Sequence, residues 1–267
     1  MPLAARFIPV ALIALVFAAC AGEDPDPDEA GPAPAPTLSA VRTFEPAREF
    51  VDPTQEPDAA GAVEALRGAL ASLVLDAETV QARFPGLTPE RGAGGDLTPA
   101  QMAINSTDPN DTGDDLTRAG LVAAQQTSLR SFLALFSDDQ RGDRPFSLDN
   151  TVAFFRTGQE ARAFTRKQIA DLSRFLGTDL GFITIVGVEE IEGPALGDES
   201  SAFQVTARII GRDFNANASL IWWSRGPVSS LLMVVGSKDV LWNEVAFDFA
   251  ADADVLVRTA LADVSSK

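Results

Sequence analysis

The sequence predicts an α+β fold: an antiparallel sheet of about five strands with helices packed on one side, preceded by a disordered tether. Three observations carry that expectation. Short alternating or wholly apolar segments dominate the C-terminal half, helical stripes stand before and after them, and proline and acids crowd the first 57 positions. The chain has 267 residues, 46% hydrophobic and 22% charged, enough to bury a core. Thirty-eight acids against 21 bases leave a formal charge of -17, which argues against nucleic acid or anionic headgroups as the main partner.

The first element is a leader. Arg6 precedes an apolar run from Phe7 to Phe17, and Ala18, Ala19 and Cys20 follow. A basic start, a short apolar stretch and small residues describe a secretory signal over 1–19. A spanning helix needs about 20 apolar residues, and Pro9 interrupts this run. Phe17-Ala18-Ala19-Cys20 resembles the lipobox of bacterial lipoproteins, with Phe17 departing from the leucine preferred there. The resemblance implies lipidation of Cys20, cleavage just before it and palmitate-type acyl chains that hold the protein to a membrane. It places the chain in the cell envelope, outside the cytoplasm. Ala21 after the cysteine resembles a protein sorted to the outer membrane, where the organism has one.

Residues 20–57 form the lipidated cysteine and a linker. Eight of the 17 prolines lie in 21–57, among many acids opposed only by Arg42 and Arg48. Proline and like charge favour an extended chain with nothing to bury.

From residue 58 to 267 the pattern reads as one globular α+β domain. Leu66, Leu70, Leu73 and Val74 fall at helical spacing within 59–75, and Asp76 is placed to cap a second helix through Phe84. Residues 85–115, rich in Gly, Pro, Thr and Asp, read as a long loop, and 117–136 fit either a helix or a strand. A strand at 151–155 precedes an amphipathic helix at 158–176 that turns Ala161, Phe164, Leu172 and Phe175 inward. Strands follow at 182–188, 202–210, 218–224 and 228–235, the last two separated by a hairpin-sized Arg225-Gly226-Pro227. The stripe Phe249, Ala253, Leu256, Val257, Ala260, Leu261, Val264 closes the chain as a helix on the sheet.

Four pieces together resemble the PsbP-like α/β/α sandwich of envelope lipoproteins and sensor domains. They are Val152–Phe155 with the helix after it, Gly197–Phe203, Trp223–Val228 with the next strand, and the helix at 249–264. The resemblance spans about 115 residues, leaves 58–150 uncovered, and implies a sensor, carrier or accessory role without catalysis.

The chemistry open to the chain is narrow. It has no histidine and a single cysteine, so the commonest general base, an internal disulfide and a cysteine-cluster zinc site are excluded. No serine-nucleophile elbow or phosphate loop occurs, and Arg91–Gly95 lacks the lysine that a phosphate loop requires. Asp108–Asp115 begins like a calcium loop, but the twelfth position is Ala119 where a bidentate glutamate is needed, so an exposed acidic turn explains it. Glu189, Glu190, Glu192, Asp198 and Glu199 cluster near a strand end. Arg156, Arg162, Arg166, Lys167 and Arg174 form the one basic region, with Arg162 and Arg166 on one helix face. Trp222 and Trp223 present one ring to each face of the sheet.

These readings describe a membrane-anchored envelope lipoprotein, without cofactor or metal, that binds an envelope protein or a small apolar or anionic ligand. Arg162, Arg166 and Trp223 are the expected contacts, and no residue is assigned a catalytic role. The alternative is a hydrolase working with carboxylates alone, such as a glycosidase.

Overall fold

The computed structural model describes residues 65–90, 94–108, 110–131, 144–177, 183–209, 214–237 and 240–265. The leader, Cys20 and the spacer lie outside them.

Residues 65–69 are helical and run into a tight turn at Leu70–Ser72. α1 (Ala77–Arg83) starts at Asp76, whose carboxylate accepts hydrogen bonds from the backbone N–H of Glu78 and Thr79. The expected loop at 85–115 is instead structured. It holds β1 (Thr88–Pro89), β2 (Gly95–Leu97), α2 (Pro99–Ile104) and α3 (Gly113–Arg118). Capping boxes at Thr98/Gln101 and Thr112/Asp115 start the two helices. Six residues are under two helical turns, too short to show a hydrophobic period, which is why composition alone suggests a loop.

The uncertain segment resolves as β3 (Leu121–Arg130), paired with β4 (Ser147–Phe155). From β4 the chain crosses one face as α4 (Gly158–Leu172), begun by a capping box between Thr157 and Glu160. It enters the far edge as β5 (Ile183–Ile191). The strands then meander back through β6 (Glu199–Ile209), β7 (Phe214–Arg225) and β8 (Val228–Ser237), which pairs with β4. α5 (Asn243–Ser265) ends the described chain.

Among the described residues the sheet has eight strands, not about five, in the order β1-β3-β4-β8-β7-β6-β5 with β2 also on β3. Neighbouring strands among the described residues pair antiparallel. The expected five are β4 to β8. The missing ones are two very short strands and the one whose period was ambiguous.

Helices also cover both faces rather than one. On the first face Trp222, Phe203, Met233 and Leu172 form one cluster, and Phe155, Phe164, Met102 and Leu116 another, beneath α2, α3 and α4. On the second, Trp223, Ile221, Leu232 and Val234 pack under α1 and α5, while Leu66, Leu73, Val152 and Val257 pack beside them. Both faces of the central strands are apolar, so each needs a cover. Burying a tryptophan ring removes about 200 Å² from water, on the order of 5 kcal/mol before entropy is counted. Gly236 lets α5 approach β8: a Cβ there would sit 2.2 Å from the Trp242 indole.

Candidate functional site

A small, partly open pocket of about 30 Å³ lies on the first face. Its apolar walls are Met102 of α2, Phe164 of α4, Ala153 of β4, Trp222 of β7 and Leu231 of β8. Its polar groups come from Asn105 at the end of α2, Thr151, Gln168 and Ser229. Register sets this composition: Leu231 lies opposite both Thr151 and Trp222, which puts all three side chains on one face. Ser230 also borders the pocket, but its partners Val152 and Trp223 place its side chain on the other face.

Most of the polar groups are engaged. Gln168 accepts from the Thr107 backbone N–H at 2.7 Å and donates to the Ser106 hydroxyl at 2.9 Å, pinning the turn after α2 to α4. The Ser229 and Thr165 hydroxyls meet at 2.7 Å. Thr151 Oγ1 is buried and has no hydrogen-bond partner in the chain. Asn105 makes only a marginal 3.5 Å contact, from its Nδ2 to Gln126 Oε1.

Beside the pocket, on the same face of the sheet, lies a buried ionic cluster that the sequence did not signal. Arg130 Nη1 donates to both Asp149 oxygens at 2.9 Å, and its Nε faces Glu90 Oε2 at 2.9 Å. Ser128 donates to Asp149 at 2.6 Å, and Gln126 reaches it at 3.5 Å. Complete burial pushes the Asp149 carboxyl above the ordinary carboxylate range, and the Arg130 charge and the Ser128 hydroxyl pull against it. In sequence, Gln126, Ser128 and Arg130 alternate with less polar residues and read as the wet side of a strand.

Two features kept apart in the sequence are joined in space. Arg162 stands 3.8 Å from Asp198, and Arg166 Nε donates to both Glu199 oxygens at 2.8 and 2.9 Å. The basic helix face and the acidic strand end therefore neutralise each other. The rest of the basic region is also paired: Arg156 with Glu160, Arg174 with Asp171, and Lys167 with Asp108 and Asp111. Burial lowers the Lys167 pKa, but its bonds to the two aspartates outweigh that and raise it overall. Asp108 and Asp111, the start of the calcium-like turn, thus hold a lysine, and Asp115 caps α3. Glu189 and Glu190 are exposed on the edge strand β5.

Trp223, an expected contact, is fully buried beneath α5, where its Nε1 finds no partner. The ring at the pocket is its neighbour, Trp222. The two faces differ in what covers them, and that cover, not the tryptophan pair itself, decides which ring lines an opening.

Among the described residues, no helix is long and apolar enough to cross a membrane, and no three His, Cys, Asp or Glu side chains form a metal-holding group. No protein-family profile and no curated protein matches the chain. Among solved structures, the extracellular domain of PknH from Mycobacterium tuberculosis is similar at a TM-score of 0.45 and 13% identity, covering 75% of this chain and 96% of that one.

Proposed function

We propose that this chain is a lipid-anchored envelope protein, held outside the cytoplasm through Cys20, whose sheet-and-helix body binds a small ligand in the Trp222 pocket without catalysing a reaction. One observation supports binding over chemistry: the pocket is walled by Met102, Phe164, Trp222 and Leu231, and none of its lining residues is an acid, a base or a thiol. The hydrolase alternative has weaker support. Asp149 and Glu90 do converge, but both are bound to Arg130 and neither lines the pocket. The neutralised Arg162–Arg166 face also supports an anionic ligand less well than the pocket supports an apolar one.

An NMR titration of the full-length protein with a panel of molecules of only a few heavy atoms tests the reading. Shifts confined to the Trp222 indole and to residues around Thr151 and Phe164 are expected. Turnover of an ester, glycoside or phosphate substrate would sink it.

A further inference from the structure

The space beside Trp222 has the size of a water molecule. A cavity needs about 10–15 Å³ to hold one water, whose share of the liquid is about 30 Å³, and this pocket offers about 30 Å³. A bound water also needs about two to four polar partners. Three groups from three elements border the space. Thr151 of β4 is 6% exposed, and its Oγ1 has no partner in the chain. A rotation about χ1 exchanges that hydroxyl with the methyl group, so it can face the pocket without breaking a hydrogen bond.

Ser229 of β8 is 3% exposed and meets the Thr165 hydroxyl at 2.7 Å. Whichever of the two donates, Ser229 Oγ keeps a lone pair for another donor. Ala153 lies opposite Ser229 and Thr151 opposite Leu231, so Ser229 and Thr151 are diagonal neighbours on the same face, bordering one space. The third group is Asn105, the C-cap of α2. Its Nδ2 has only the 3.5 Å contact to Gln126, so its amide can both donate and accept. Met102, Phe164 and Trp222 enclose the same space with apolar walls.

We infer that the pocket is a hydration site, in which one ordered water is held by Thr151 Oγ1, Ser229 Oγ and the Asn105 amide. The inference goes beyond the binding reading above and does not depend on it. A ligand that enters has to displace this water and replace its hydrogen bonds. Thr151→Val keeps the side-chain shape, and the sign of its effect on stability is the test. If the hydroxyl holds water, the variant loses a hydrogen bond and its urea midpoint falls. If the hydroxyl is a buried group without a partner, removing it leaves the midpoint unchanged or raises it. NMR of the full-length protein gives an independent readout. The Ala153 methyl lines the pocket and is 2% exposed, so it should show an Overhauser cross-peak at the water frequency. Thr151→Val and Asn105→Ala should each weaken that cross-peak by about twofold or more, since each removes a group that immobilises the water. A Thr151→Val midpoint that stays or rises, a wild type without the cross-peak, or a cross-peak that both variants leave intact would overturn the inference. None of these results bears on the small-molecule titration above, so the two readings fail separately.

Discussion

Arg130→Met removes the cation from the buried cluster while keeping an unbranched apolar side chain in place of the arginine. In the native protein its guanidinium satisfies both oxygens of Asp149 at 2.9 Å, with Asp149 fully buried and Arg130 only 4% exposed. Breaking a buried pair by deleting one partner costs about 3–5 kcal/mol, because the other charge is left without compensation. Here the charges left are the fully buried Asp149, with Ser128 as its remaining close donor, and the partly exposed Glu90. The loss must depend on pH. The folded Asp149 carboxyl is already pushed up by burial, so its neutral form is favoured in the fold and its ionisation costs stability as pH rises through the folded value. Without Arg130 this cost deepens by about 1.4 kcal/mol for each further unit of upward shift. Urea denaturation followed by tryptophan fluorescence at pH 5 and pH 7.5 measures it, since Trp222 and Trp223 report on opposite faces of the sheet. The variant should be several kcal/mol less stable at pH 7.5 and closer to wild type at pH 5. Adding Asp149→Leu, which removes the stranded charge, should restore much of the loss. A deficit below about 1 kcal/mol at both pH values would refute the reasoning, because a buried, unpaired carboxylate cannot cost so little.

Two further outcomes follow from local chemistry. Asp76→Ala should cost about 1 kcal/mol through loss of the α1 cap. The Thr79 hydroxyl, together with the backbone N–H groups of Thr79 and Glu78, holds the Asp76 carboxyl below its usual range. Its contribution is therefore complete above the unfolded value and lost as pH falls through the folded one, so stability curves of variant and wild type should converge in acid. At the other end of the chain, Cys20→Ser should leave the protein uncut or released from the membrane, since serine cannot carry a thioether lipid. Feeding labelled palmitate to the producing cells checks this, and an unlabelled wild type would remove the anchor.

The long elements were legible in the sequence for a simple reason: each repeats its period enough times to be read. Phe203, Val205 and Ala207 alternate along β6, and Phe249, Ala253 and Val257 recur along α5. Asp76 signalled its helix because a cap acts within three residues. The short elements were not legible. β1, β2, α2 and α3 owe their existence to pairing with β3 and to capping boxes, and two to six residues cannot display a period. The site was hidden for a different reason. Gln126, Ser128 and Arg130 have the alternation of a wetted strand, yet they are buried because Asp149 and Thr151 on β4 lie beside them and other parts of the chain cover that face. In the same way, Trp222 and Trp223 differ by one position, and only the helices on either side decide that one lines a pocket and the other is sealed. A strand's sequence determines which side chains share a face. Whether that face meets water, a helix or a cavity depends on segments distant in the chain, because burial belongs to the packed layers and not to any one of them.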